Sequence, residues 1–327
     1  MMSAVKLSQI YEPVQEDLLE VERDFQRLVE SKRDTFPELH QMLKHALVGG
    51  KVVRPALCLL AGRCYKYNRE KLLPMAASSE LLHIATLVHD DAIDHADTRR
   101  GRPTINKLWG LDKAVLLGDH LFARAGEFAA ATENIPVVRL FAQTLQIISS
   151  GELKQAASAF TLHQTFDQYL ERIAGKTAAL MVMSTQSGAI LGQAPPEGVH
   201  ILRDYGYNLG LAFQIVDDIL DFIGDKAEMG KPVGSDLAQG TITLPSLLLL
   251  ERYPDDNPIE KIFDGQDREQ NLGRAIDMVL NSGIIEECYK IAADYSTKAC
   301  RDLDKLPGEQ GRRSLVALAD FIIERRK

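Results

Sequence analysis

Apolar residues recur at spacings of three and four along nearly the whole chain. Leu18, Val21, Phe25 and Val29 form one stripe, and Met75, Leu81, Leu82, Ala85 and Val88 lie in another. Leu117, Leu121, Ala125 and Phe128 make a third, and Leu209, Phe213, Val216 and Leu220 a fourth. At 3.6 residues per turn, such spacings line one side of a helix. Period-two runs bounded by turn residues are lacking, so the chain reads as all-α. Glycine and proline cluster at Gly49-Gly50, Gly101–Pro103, Gly192–Gly198, Gly224–Gly240, Pro254–Pro258 and Pro307–Gly311, and these breaks separate the helices. None reads as a flexible linker, and no short repeat is present. Residues 1–327 are therefore expected to form a single domain, one large helical bundle packed around a central cavity.

Composition narrows the functions open to such a bundle. The 327 residues are 45% hydrophobic and 26% charged, a globular balance with enough chain for a large core. The net charge of −8 argues against nucleic-acid binding, which needs a basic patch or stripe. Cys58, Cys64, Cys288 and Cys300 form no C-x-x-C pair and are expected to be reduced thiols in a cytoplasmic protein. The first residues turn acidic without an apolar run, so no signal peptide is expected. No apolar run reaches the roughly 18 residues of a membrane span.

Two acidic clusters stand out against this background. The first is His89-Asp90-Asp91-Ala92-Ile93-Asp94, and the second runs from Gln214 through Asp217, Asp218 and Asp221. Asp90 and Asp94 lie four apart, as do Asp217 and Asp221, so each pair shares a helix face. Like charges one turn apart repel, and both clusters have apolar neighbours such as Leu87, Val88, Val216 and Leu220. A divalent cation resolves the conflict. Hard oxygen ligands suit Mg²⁺, which keeps several waters and binds through a few carboxylates plus substrate phosphates. The glycine and ligand spacing of an EF-hand are missing.

Basic residues answer these carboxylates. Lys51 and Arg54 stand three apart in GGKVVRP, and His83 lies two turns before Asp90. Arg99 and Arg100 follow the first cluster, Lys176-Thr177 occurs in GKTAAL, and Lys231 lies in a glycine-rich stretch. Arginine forks and lysine point charges are the groups that grip diphosphate oxygens.

With these residues in place, the chain resembles the trans-isoprenyl diphosphate synthases, or polyprenyl synthetases, of the long-chain type. The resemblance runs from about Gly49 to Pro245 through GGKVVRP, ELLHIATLVHDDAIDHADTRRGRPT, LLGDHLF, GKTAAL, FQIVDDILDFIGD and GKPVGSDLAQGTITLP, in the family's order. It implies the isoprenoid synthase type I fold, with a deep apolar cavity, and a homodimer. It implies that Asp90, Asp94, Asp217 and Asp221 bind Mg²⁺, with Asp91 and Asp218 supporting them. Lys51, Arg54, His83 and Arg100 are then expected to hold isopentenyl diphosphate, and Arg99, Lys176, Thr177, Gln214 and Lys231 the allylic prenyl diphosphate. Asp90, Asp94, Arg99, Lys176, Asp217 and Lys231 are the residues expected to act on the reacting groups. The glycine-rich segment Gly224–Gly240 is expected to order over bound substrate. Two departures from the family pattern are Val52, where a basic residue is common, and Thr241, where many members carry lysine.

The implied reaction is a head-to-tail condensation of the two diphosphates. One turn before Asp90, Ala85 and Thr86 are small where aromatic side chains of the family stop short chains. A growing product is expected to pass toward Ser78, Leu81 and Leu82, with Phe122 and Phe128 as candidate floor residues. A long all-trans product follows, with transient membrane contact for its release. The competing readings are a shorter-chain farnesyl or geranylgeranyl diphosphate synthase, a class I terpene cyclase, and a noncatalytic subunit of a heteromeric synthase. The second D-D-x-x-D and the isopentenyl-binding cations argue against a cyclase, and the full set of aspartates argues against a noncatalytic subunit.

Overall fold

Helix starts follow local capping chemistry. Asn68, Thr104 and Asn257 each place a side-chain oxygen on a free amide at the start of a helix. Thr165 and Gln168 form a reciprocal capping box. The computed structural model describes residues 7–47, 52–99, 101–224, 233–255 and 257–324. Through these the chain runs as α1 (Leu7–Ile10), α2 (Gln15–Glu30), α3 (Pro37–Ala46), α4 (Val53–Arg63), α5 (Arg69–Ile93), α6 (Ile105–Trp109), α7 (Leu111–Ala130), α8 (Ile135–Ala157), α9 (Phe166–Ile173), α10 (Ala179–Leu191) and α11 (Pro196–Ile223). The helices Ser235–Ala238, Leu244–Arg252, Pro258–Phe263, Arg268–Asn281, Ile284–Cys300 and Glu309–Glu324 follow. The all-α expectation holds. Among the described residues the exception is one antiparallel pair, β1 (Thr98–Arg99) with β2 (Arg102–Pro103).

The chain gathers into two compact units, each built from three separated stretches. The first comprises Met1–Thr144, Leu180–Gly206 and Arg301–Leu318. Its centre is α5, which runs antiparallel to α7 and also packs on α2 and α4. Leu72, Met75, Leu81, Leu82 and Ala85 of α5 are fully buried. Each buried large apolar side chain contributes about 1.5–3 kcal/mol. The Ser78 hydroxyl donates to the Ala125 carbonyl of α7 at 2.8 Å. Buried Asp17 accepts from the Tyr67 hydroxyl at 2.5 Å and Arg69 Nε at 2.6 Å, which ties α2 to the start of α5. At Gly188, α10 lies so close to α4 that a methyl group would overlap the Cys58 carbonyl.

The second unit comprises Leu145–Ala179, Tyr207–Cys300 and Ala319–Lys327. Its core joins Tyr169 and Ile173 of α9 with Ile215, Ile219 and Phe222 of α11 and with Leu244, Leu249, Ile259 and Val279 from the later helices. Between α9 and α10 the backbone widens into a π-helical turn, Ala174–Ala178, which carries Lys176 and Thr177. Such turns occur mostly at functional positions.

Candidate active site

The first acidic cluster ends α5. Asp90 is half-buried, Asp91 is buried and Asp94 is exposed at the C-cap, its amide donating to the Asp90 carbonyl at 2.8 Å. This is an unfavourable place for carboxylates, because the negative end of the helix dipole lies here and the last turn carries no basic residue. The β1–β2 hairpin brings compensation. Arg99 Nε donates to both oxygens of Asp91, at 2.8 and 2.9 Å. The loop leading there is fixed by the Ala96 carbonyl, which accepts from the Thr104 hydroxyl at 2.6 Å and Asn106 Nδ2 at 2.9 Å. Sequence reasoning missed Thr104 and Asn106. The available signal was the helix start at Thr104, three residues before Lys107, whose amide it caps.

Of the cations expected in the first unit, Arg54 is half-buried in the first turn of α4, and His83 is half-buried on α5. Val52, just before α4, has φ +43°, a left-handed conformation that a β-branched residue rarely adopts. Lys51, Arg100 and Lys231 lie outside the described residues, as does 225–232 of the glycine-rich segment.

The second cluster lies on α11 in the second unit and forms a connected network. The Thr177 hydroxyl donates to Gln214 Oε1 at 2.5 Å, and Gln214 Nε2 donates to Asp218 Oδ1 at 2.8 Å. The Tyr169 hydroxyl donates to Asp218 Oδ2 at 2.7 Å. Close approach of backbones makes this reach possible, since a methyl group on Gly210 of α11 would overlap Ala178 of the π-helical turn. Burial pushes the Asp218 carboxyl up to about 7, with the Asp236 charge adding to the effect and the two donors opposing it. Asp221 accepts from the Ser235 hydroxyl at 2.8 Å, and its carbonyl accepts the Gly234 amide at 2.9 Å. Lys176 pairs with Glu152 at 2.9 Å. Thr177, Gln214 and Asp218 are thus brought together, while Tyr169, Ser235 and Glu152 had not been anticipated.

The proposed chain-length residues divide by environment. Ser78, Leu81, Leu82 and Ala85 are fully buried on α5, and half-buried Thr86 returns its hydroxyl to the His83 carbonyl at 2.7 Å. Phe122 meets the His89 ring edge-on, with centroids 5.0 Å apart, at the acidic end of α5. Phe128 carries the Arg124 guanidinium 5.8 Å above its ring. The second unit also bears an open groove of about 910 Å³, lined by Tyr253, Lys261, Arg274 and Asp277 among others, and none of the expected site residues line it.

Among the described residues no three His, Cys, Asp or Glu side chains converge as a ready metal cage. The donor chemistry nevertheless fits Mg²⁺, which accepts one or two carboxylates and completes its shell with water and phosphate oxygens. Asp90 and Asp94 present carboxylates at a helix end that lacks basic residues, and Asp217 is half-buried on α11. Asp91 and Asp218 have both oxygens engaged by protein donors, and so does Asp221, through the Ser235 hydroxyl at 2.8 Å and the Asp236 amide at 3.4 Å.

The polyprenyl synthetase family description matches residues 36–279. The chain belongs to that family. It is 38% identical over 321 residues to heptaprenyl diphosphate synthase component 2 of Geobacillus stearothermophilus, covering 98% of this chain and 99% of the relative. A decaprenyl diphosphate synthase from Rhodobacter capsulatus superposes with a TM-score of 0.89 at 35% identity, covering 98% of this chain and 100% of that one. A polyprenyl synthase from Caulobacter crescentus CB15, complexed with calcium and isoprenyl diphosphate, gives 0.91 at 33% identity, with 100% of each chain covered. The family match spans the helices that carry both acidic clusters, and the structural similarity to the Caulobacter protein extends over the whole chain.

Proposed function

We propose that the chain is a Mg²⁺-dependent trans-polyprenyl diphosphate synthase that joins isopentenyl diphosphate head-to-tail to an allylic prenyl diphosphate and makes a long-chain product. The observation that carries this reading is the pair of D-D-x-x-D segments, one closing α5 and one on α11, each in an otherwise apolar helix. The full-length similarity to heptaprenyl and decaprenyl diphosphate synthases supports the long-chain assignment. The calcium and isoprenyl diphosphate of the Caulobacter protein support a divalent ion beside a diphosphate.

In this reading Asp90, Asp94, Asp217 and Asp221 would hold Mg²⁺, with Asp91 and Asp218 fixing the helices beneath them. Bound there, Mg²⁺ supplies electrostatic stabilisation of the negative charge that develops on a departing diphosphate. Lys176, Thr177, Gln214, Arg99 and Lys231 orient the allylic diphosphate. Lys51, Arg54, His83 and Arg100 hold isopentenyl diphosphate so that its double bond faces the allylic carbon. Loss of the allylic C–O bond leaves a carbocation-like chain, attack by the double bond forms the new C–C bond, and the departed diphosphate takes the released proton. No protein base is needed. The apolar helices exclude water, which would otherwise quench the cation.

Activity in the cytoplasm, assembly as a homodimer and transient contact with a membrane for product release complete the proposal. No helix of the described residues is long and apolar enough to cross a membrane. The deciding experiment supplies Mg²⁺, labelled isopentenyl diphosphate and geranyl, farnesyl or geranylgeranyl diphosphate in separate reactions, then measures product length. A ladder ending in one long species is expected. A short end point would replace the long-chain reading with a short-chain synthase. Cyclic hydrocarbon from the allylic substrate alone would replace it with a cyclase.

A further inference from the structure

The last turn of α5 gathers Asp90 and Asp91, with Asp94 at the cap, at the negative end of a helix without a basic residue in that turn. Arg99 clamps one side of it through Asp91. A second clamp lies on the other side. His89 Nε2 is 2.9 Å from the Val115 carbonyl of α7 and 3.6 Å from Asp119 Oδ1, and the ring packs edge-on against Phe122. Facing the ring, α7 has Gly118, where any methyl group would overlap the imidazole. The ring therefore occupies a notch that only glycine leaves open. A carbonyl can only accept, so Nε2 carries the hydrogen and donates to Val115. Successive residues turn by about 100° on a helix, which puts His89 and Asp91 on either side of Asp90.

We propose that His89 is a positioning residue for Asp90 and Asp94. Seated in the Gly118 notch and bonded to Val115, it keeps the charged last turn of α5 helical and aims both carboxylates. It does not touch substrate. The catalytic consequence rests on the reading of Asp90 and Asp94 as Mg²⁺ ligands, whereas the consequence for helix order does not.

The test compares the native chain with His89→Ala, His89→Gln, Gly118→Ala and the His89→Ala/Gly118→Ala double variant. One readout is amide hydrogen exchange across 90–96, and the other is the Mg²⁺ concentration that half-saturates condensation of isopentenyl and farnesyl diphosphates. Loss of the clamp is expected to speed exchange in this segment roughly tenfold, the effect of one ordinary hydrogen bond, while the rest of α5 stays protected. The Mg²⁺ requirement is expected to rise roughly 10–100-fold, as when other supports of metal ligands are removed. His89→Gln keeps a side-chain N–H for Val115 and should restore much of both. Gly118→Ala should reproduce His89→Ala and add nothing in its background, because the collision then has no partner. Native exchange across 90–96 in both single variants would overturn the proposal, and so would a Gly118→Ala effect that is equally large without the imidazole. Should His89→Ala not fold, Gly118→Ala carries the same comparison. A chain without condensation activity would sink the functional reading, and the exchange data would still decide the clamp.

Discussion

Asp218 shows how a buried acid is kept in place. It is fully enclosed among apolar residues of the second unit, yet Tyr169 and Gln214 each put one donor on it. Those bonds offset part of the cost of burial, which is why its carboxyl is raised only to about 7. Tyr169→Phe removes one donor and leaves an oxygen without its partner. The variant is expected to lose roughly 1–3 kcal/mol of stability, visible as a lower urea midpoint at unchanged slope. An unaltered midpoint would mean that water replaces the phenol at no cost. The acid at position 218 was readable from its spacing. Tyr169 was not, because it lies on a different helix in a segment without any acidic motif.

Helices act as units in two places. Along α5, Ala85 is fully buried with Leu81 and Leu82, so a larger side chain there must take space from its surroundings. Ala85→Phe is expected to shorten the prenyl product, measured by chromatography of the extracted chains. If 85 were only a packing position, length would be unchanged and the cost would appear instead as about 1–3 kcal/mol of lost stability. In the second unit, α11 meets the π-helical turn at Gly210, which allows Thr177 to reach Gln214 one turn further on. Gly210→Ala is expected to part these two and to raise KM for the allylic diphosphate about tenfold, with KM for isopentenyl diphosphate unchanged. Equal changes in both constants would show a general distortion. Helical periodicity announced both elements, but the π-helical turn left no mark in the sequence that separates it from ordinary helix.

For the molecule as a whole, the acidic side chains of the described residues do not form a metal cage by themselves. Mg²⁺ alone is therefore expected to shift the melting temperature little. Mg²⁺ with inorganic pyrophosphate, which supplies the missing oxygens, should raise it. At a hundredfold excess over Kd, binding adds about 2.7 kcal/mol, or a few degrees for a chain of this size. An equal shift with Mg²⁺ alone would point to a site made by protein groups only. The division between what was legible and what was not has a physical basis. Which residues turn inward, and that Asp90 shares a face with Asp94 and Asp217 with Asp221, follow from 3.6 residues per turn, a local property that the sequence determined by itself. Partner choice is not local. Arg99 and Arg100 are adjacent and chemically identical, and the hairpin that folds Thr98–Arg99 onto Arg102–Pro103 is what puts Arg99 on Asp91. Likewise only the close approach of α5 to α7 at Gly118 seats His89, because that contact depends on two helices packing and not on the residues beside it.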